Sequence, residues 1–228
     1  PICAPDKNAE SVAARATGHA IEWRDAVQSS IDFNESYDVE LTDDWVAVDN
    51  ENREGGYSGF YGEFGWEEDP VGFEYGALLV PENAEIYLYL NGHTVDGGIF
   101  STPAIIVRGT LHIVGPGKIT SDGDASANPS TVSVEGGTLF VESGAEISDS
   151  PNARGIMIDG GTAELRGSTV SNNDGGQNGA GVYIVNGSTF TMSDSIITGN
   201  SCDLYGGGVY VDATSEFIMH SGEISSNV

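Results

Sequence analysis

Two carboxylates at equivalent positions of similar segments, Glu135 and Asp159, are the residue types that sugar hydrolysis needs. They end the segments TVSVE and GIMID and lie 24 residues apart. If these segments are neighbouring strands, the carboxyl groups lie about 5 Å apart as in a retaining glycosidase, or further apart as in an inverting enzyme. Crowding raises the pKa of one carboxyl, as a general acid requires. With 35 acidic residues such pairs also arise by accident, so catalysis is one interpretation among others.

The same segments offer a second kind of chemistry, a binding face. Alternation along a strand points Met157, Tyr183 and Tyr210 outward, with Asp212 in the neighbouring outward column. Stacked tyrosines beside carboxylates can hold a sugar, with the rings against the sugar face and the acids on its hydroxyls. An aromatic ladder that only stabilises neighbouring strands has the same pattern. These four residues are therefore candidate binding residues.

A turn and a long loop supply the remaining candidates. The turn TSDGDAS contains Asp122 and Asp124, which are candidate calcium ligands or solvated turn acids, and it does not match a full EF-hand loop. Residues 49–75 form a Gly-rich loop with seven aromatic residues, of which Tyr57, Tyr61 and Trp66 are candidate binding residues. The alternative is that these rings fold back and thicken the end of the fold. We expect that the protein requires no cofactor and that it can bind calcium.

An internal repeat defines the elements that position these residues. The stretch GAGVYIVNGSTFTMSDSIITGN starts at Gly179, and GGGVYVDATSEFIMHSGEISSN starts 27 residues later at Gly206. Each repeat contains three short strand patterns and no segment of helix length. Such a unit cannot bury its own apolar face, so repeats must stack as the coils of a parallel β-helix. The apolar segments that open the repeats begin at Ala77, Ala104, Thr131, Gly155, Gly181 and Gly208.

Alternation also predicts the inside of the coils. We expect Phe190 to lie over Phe217 and Met192 over Met219, so that Phe217→Ala should cost about 3–5 kcal/mol. Asparagines recur three residues after an apolar position in successive repeats, and stacked asparagines can hydrogen-bond from coil to coil. We interpret this column as structural. Its members are Asn173, Asn200 and Asn227.

The first third of the chain differs from the repeats. Residues 18–31 form an amphipathic pattern that predicts a helix, and a helix at the open end of a solenoid covers its core. Residues 39–48 have the pattern of a first coil strand. We therefore assign residues 1–76 to an N-terminal cap and residues 77–228 to β-helix coils, which we expect to continue beyond Val228.

Composition narrows the class of partner. The formal net charge is −27, from 8 basic and 35 acidic residues. Such a surface repels phosphate backbones, so we expect no nucleic-acid partner. No apolar run of 18 residues occurs, so we expect no membrane insertion in this segment.

The repeat ends ISSN, ITGN and VSNN, and the glycines before Val-Tyr, resemble the GGA-[ILV] and FxxN repeats of chlamydial polymorphic outer membrane proteins. They resemble more closely the right-handed parallel β-helix repeats of large surface proteins of Gram-positive gut bacteria. The opening EWRDAVQ, LTDDW and IYLYLNGHTVDGG is similar to the cap and first coils of that group, so the resemblance covers about residues 20–228. The chain departs from the chlamydial pattern in having Val-Tyr after the glycines and Ile or Val in place of Phe.

The resemblance implies an all-β fold, a right-handed parallel β-helix with three strands per coil and an N-terminal capping helix. It also implies an extracellular or cell-surface bacterial protein of adhesin type, with a face for a glycan or a host or cell-surface protein. Pectate lyases and polygalacturonases share the fold, so a polysaccharide-active lyase or hydrolase is the first alternative. A structural stalk without a ligand is the second.

Overall fold

The computed structural model describes residues 12–14, 19–47, 71–75, 77–127 and 129–228. These residues form one helix and 22 strands in three sheets. The candidate binding residues Tyr57, Tyr61 and Trp66 lie outside the described residues.

The helix α1 spans His19–Phe33. Sheet 1 contains β4 (Phe73–Glu74), β5 (Ala77–Val80), β8 (Ile105–Val107), β11 (Ser130–Glu135), β14 (Arg154–Asp159), β17 (Val182–Val185) and β20 (Val209–Val211). Sheet 2 contains β1 (Val12–Ala14), β2 (Ser36–Leu41), β6 (Glu85–Tyr89), β9 (Thr110–Val114), β12 (Thr138–Val141), β15 (Thr162–Arg166), β18 (Thr189–Ser193) and β21 (Glu216–Met219). Sheet 3 contains β3 (Trp45–Val46), β7 (Thr94–Asp96), β10 (Gly117–Thr120), β13 (Ala145–Ser148), β16 (Thr169–Ser171), β19 (Ser195–Thr198) and β22 (Gly222–Ser225).

From β5 onward the chain visits sheet 1, sheet 2 and sheet 3 in turn, and three strands complete one coil. Strands of consecutive coils pair in parallel, as β11 does with β14 and β14 with β17. The antiparallel pair of β4 with β5 is a local exception at the start of sheet 1. The prediction of an all-β parallel solenoid with three strands per coil and at least five coils is confirmed.

The core follows the predicted alternation. Val132, Val134 and Phe190 are fully buried, and Phe190 stacks on Phe217 with ring centroids 5.0 Å apart. Met192 pairs in register with Met219, which confirms the second predicted stack. Phe217 is only partly buried and Met219 is 42% exposed, because the described residues contain no further coil over them.

The helix α1 covers the first coil, as predicted. Trp23, Ala26 and Val27 are buried, and the indole N–H of Trp23 donates to the Gly72 carbonyl at 2.7 Å. The Trp23 ring meets the Trp45 ring edge-on, with centroids 6.1 Å apart. The apolar face of the helix therefore closes one end of the core.

The segment predicted as one strand over residues 39–48 instead supplies two strands, β2 and β3, which belong to different sheets. The polar residues 42–44 form the bend between them. This part of the prediction is wrong, because the polar turn outweighs the β-propensity on either side of it. Both strands pair in parallel with β6 and β7, so they extend the solenoid sheets.

An asparagine ladder stabilises the bend after sheet 3. The Asn200 side-chain oxygen accepts from the Asn173 backbone N–H at 3.1 Å and from the Asn173 amide at 2.9 Å. Asn227 repeats both contacts with Asn200. Gly181 lies beside the ladder, where a Cβ atom would sit 2.3 Å from the Gly208 carbonyl oxygen, so only glycine fits.

Candidate functional site

The predicted tyrosine column lies on sheet 1. Strand pairing places Met157 beside Tyr183 and Tyr183 beside Tyr210. The two tyrosine rings stack with centroids 5.0 Å apart and planes 19° apart. From the preceding coil, the Arg154 guanidinium lies over the Tyr183 ring at 4.9 Å from its centroid. The faces of the Tyr183 ring are thus covered by protein, and the ring presents its edge and hydroxyl group.

The earlier positions of this column are not part of an open face. Ile106 and Ser133, which alternation also points outward, are 3% and 0% exposed. Met157, Tyr183 and Tyr210 are each partly exposed. The accessible part of the column therefore begins at Met157.

Two longer connections between sheet 3 and sheet 1 flank the tyrosines. Residues 201–207 lead into the last described coil and carry Leu204 and Tyr205, which are 60% and 67% exposed. Tyr205 pairs with Asn178 of the preceding connection, and the Asn178 carbonyl accepts a hydrogen bond from Arg154 Nε at 2.8 Å. These contacts join the exposed loop to the guanidinium that lies on Tyr183. We call Leu204, Tyr205, Tyr183, Tyr210 and Arg154 the tyrosine face.

Arg154 is the cation of this face. Burial lowers the pKa of its guanidinium, and the nearby Tyr183 and Cys202 side chains oppose that change. A guanidinium over an aromatic ring, with its Nε–H held by a carbonyl, is fixed in orientation. The arrangement positions the Tyr183 ring and brings positive charge to a strongly acidic molecule.

The predicted catalytic pair is adjacent in the structure, since Glu135 and Asp159 are register partners on β11 and β14. Each carboxylate has another partner. Arg108 Nη2 lies 2.9 Å from Glu135 Oε2 and also binds Glu74, and the two carboxylates raise the pKa of the Arg108 side chain. Asp159 accepts a hydrogen bond from the Asn186 amide at 2.7 Å. A catalytic role stays a prediction, and it would require Glu135 to act from within an ion pair.

Asp212 holds a turn. Its carboxylate accepts from the backbone N–H groups of Asn186 at 3.0 Å and of Thr214 at 2.9 Å. The Asn186 contact, followed by a Ser215 side chain, lowers the pKa of this carboxyl. The predicted sugar contact at Asp212 thus competes with a contact between coils.

The predicted calcium ligands lie in one turn. The Asp124 carboxylate accepts three hydrogen bonds: from the Ser126 hydroxyl at 2.7 Å, from the Ser126 backbone N–H at 2.8 Å and from the Ser101 hydroxyl at 3.0 Å. The Ser126 bonds lower the pKa of Asp124. The Asp122 carbonyl accepts from Asn152. Over the described ranges, no three His, Cys, Asp or Glu side chains are grouped as a metal ion would need.

Sequence reasoning missed a second aromatic column, on the outer face of sheet 2. The rings of Tyr87, His112 and Phe140 stack in three successive coils, with centroid distances of 4.0 and 4.6 Å. The same alternation that located the core residues of the second strands places these three rings outward. We call this column the sheet-2 ladder.

Carboxylates and a guanidinium surround this ladder. His112 is 8% exposed, with its ring nitrogens each 3.4 Å from a carboxylate oxygen, of Glu85 and of Glu142. Arg166 binds Glu142 at 3.1 Å and Glu164 at 2.7 Å. These bonds, the Glu164 bond first, raise the pKa of Arg166. The bond from Arg166 also lowers the pKa of Glu164.

Three comparisons with known proteins were made, and the one against protein-family models supports the fold. Neither a search of curated proteins nor one of solved structures found a match. Within the residues that the structure describes, no helix is long and apolar enough to cross a membrane. Residues 121–228 match the family model described as the right handed beta helix region. Together with the three parallel sheets, this match identifies the fold as a right-handed parallel β-helix.

Proposed function

We propose that this chain is a non-enzymatic, adhesin-type β-helix domain of a surface-exposed or secreted bacterial protein. Its tyrosine face binds a glycan or a partner protein at a cell surface. The observation that carries the proposal is the stack of Tyr183 on Tyr210, beside the connection that carries Leu204 and Tyr205.

Close packing of this connection against the column supports a preformed face. A Cβ atom on Gly206 would lie 3.0 Å from Tyr210 Cβ, and one on Gly179 would lie 2.8 Å from Tyr183 Cβ. Both glycines have positive φ values, 71° and 63°, a conformation that glycine adopts without strain. The loop backbone can therefore approach the tyrosines closely. A face that is preformed in this way would gain little order on binding a ligand, which favours affinity.

The chemistry of the face fits recognition better than catalysis. Tyrosine combines a large apolar ring with a hydroxyl group and is enriched where partners bind. The carboxylates that a hydrolase would use are engaged, Glu135 with Arg108 and Asp159 with Asn186. The geometry thus supports binding of a ligand without its conversion.

A glycan array tests the proposal, run beside a reducing-sugar assay on each glycan that binds. Tyr205→Ala and Tyr210→Ala should each weaken binding about tenfold or more, since both remove an aromatic anchor. Ile196→Ala is the matched control, because Ile196 is 43% exposed on sheet 3, away from the face. If no glycan binds, the same variants are compared in capture of purified surface proteins. Unchanged affinity in both tyrosine variants, or release of reducing sugar, would refute the proposal.

A further inference from the structure

The sheet-2 ladder has two ends, and the protein caps one of them with its own cation. The Arg166 guanidinium lies over the Phe140 ring, 4.2 Å from the centroid. Its two terminal nitrogens bind the carboxylates of Glu142 and Glu164. The molecule thus shows which group suits an aromatic ring face flanked by carboxylates on this sheet, namely a guanidinium.

The other end of the ladder has the same elements, and among the described residues no guanidinium or ammonium group lies over its ring. Tyr87 stacks on His112 with the planes 4° apart, so its second ring face is turned toward the preceding strand β2. Its register partner on β2 is Asp38, and the partner of Tyr89 is Glu40. Tyr89 stacks beside Tyr87 with centroids 6.4 Å apart. Two tyrosine rings therefore occupy the register positions next to two carboxylate residues.

Like charges crowd this end. Burial and the neighbouring Glu40 raise the pKa of Asp38. Burial, then Glu85 and other carboxylates, raises the pKa of the Tyr87 hydroxyl. We call Asp38, Glu40, Glu85, Tyr87 and Tyr89 the acidic end of the sheet-2 ladder.

The basic residues of the described ranges have partners elsewhere. Arg24 binds Asp25, Lys118 binds Asp149, and Arg108 binds Glu74 and Glu135. Arg154 lies on Tyr183, and Arg166 caps the far end of the ladder.

We propose that the acidic end of the sheet-2 ladder binds an arginine- or lysine-rich segment of a partner protein. One basic side chain lies on the Tyr87 ring, with its charge against Asp38 and Glu40, as Arg166 lies on Phe140. Neighbouring basic residues of the segment pair with Glu85. The strongly negative charge of the chain steers such a segment to the surface.

The rings favour this occupant over a metal ion. Calcium takes only oxygen ligands and would leave the aromatic faces without a role. A guanidinium uses both groups at once, because its plane stacks on a ring while its N–H groups reach carboxylates. The site lies on sheet 2, whereas the tyrosine face lies on sheet 1, so the two proposals stand or fall separately.

The probe is a fluorescent peptide of alternating arginine and glycine, compared with a peptide that carries citrulline in place of each arginine. Citrulline keeps the shape and removes the charge. At physiological ionic strength we expect the arginine peptide to bind and the citrulline peptide not to bind. The double variant Asp38→Asn/Glu40→Gln and the single variant Tyr87→Leu should each weaken binding about tenfold, as loss of a charge pair or of a cation–π contact predicts.

The matched control is Glu146→Gln/Glu223→Gln, which removes the same number of charges from exposed residues of sheet 3. This variant should bind the peptide within about twofold of the parent, since salt screens distant charges. Circular dichroism and the unfolding midpoint check that each variant is folded. Asp38→Asn keeps the size of the side chain, so it tests the site even if Tyr87→Leu is unstable.

Three results would overturn the proposal. Equal loss in the sheet-3 control would show diffuse attraction to an acidic protein, and equal binding of the citrulline peptide would show that charge is not read. Lys7, Arg15 and Arg53 lie outside the described residues. If changing these three residues to Gln raises the affinity for the arginine peptide about tenfold, a basic side chain of this chain normally occupies the site.

Discussion

Asn200 links three consecutive coils through its side chain alone. Its side-chain oxygen accepts two hydrogen bonds from Asn173. Its side-chain N–H groups donate to the Val170 carbonyl and to Asn227 Oδ1. Asn200→Ala should lower the free energy of unfolding by about 2–4 kcal/mol, because buried backbone groups lose their partners. Urea unfolding measures this loss. Asn152→Ala, which removes one exposed hydrogen bond, is the control and should cost less than about 1 kcal/mol. Equal costs would mean that the ladder adds nothing to stability.

Phe190 and Phe217 are register partners in successive coils and differ in burial. Phe190 is fully buried between coils, whereas Phe217 is partly exposed. Phe190→Ala should therefore cost about 3–5 kcal/mol, and Phe217→Ala clearly less. The larger cost assigned to Phe217 from alternation alone is revised by this exposure. Chemical denaturation of the two variants compares them directly, and a cost at Phe217 equal to that at Phe190 would contradict the burial difference.

At the scale of elements, the helix α1 closes the core. Trp23 contributes the largest buried side chain of the helix, a hydrogen bond to Gly72 and an edge contact with Trp45. Trp23→Ala should cost about 3–5 kcal/mol and expose the first coil. Thermal unfolding with an apolar dye reports both effects. Gln28→Ala on the same helix is the control, since Gln28 is partly exposed and its amide bonds Asp32 at the surface. A similar shift for both would exclude a capping role.

The strands could be predicted from the sequence because a two-residue alternation and a fixed repeat both mark them. The tyrosine column and the Phe190 stack follow from those two signals. The approach of Arg154 to Tyr183 does not, because it depends on an irregular connection that carries no period. The sheet-2 ladder falls between these cases. Alternation points its rings outward, but only the pairing of strands shows that Tyr87, His112 and Phe140 share one column.

At the scale of the whole molecule, several carboxylates link coils and make stability depend on pH. The pKa values of Asp149 and Asp212 lie below their ordinary value because hydrogen bonds favour the charged form. The largest contribution comes from the Asn172 side chain for Asp149 and from the Asn186 backbone N–H for Asp212. A lowered folded-state pKa stabilises the fold above the unfolded-state pKa, about 3.9 for Asp, and this stabilisation is lost as the pH falls through the folded-state pKa.

Asp212→Asn isolates one such group. The parent should be the more stable protein above about pH 5, and the difference should shrink as the pH falls below about 4, since a protonated Asp resembles Asn. Unfolding curves measured across this range give the difference at each pH. A difference that stays constant down to acidic pH would show that the charge of Asp212 does not contribute.

The pairing of each strand with its equivalent in the next coil also determines how the domain responds to force. The hydrogen bonds between coils run along the axis of the rod, so a pull at its two ends opens one coil interface at a time. Each event should release about 27 residues, or roughly 90 Å of extended chain. A domain loaded between its two ends would then lengthen in small steps, and each coil that re-forms would restore the length it had released.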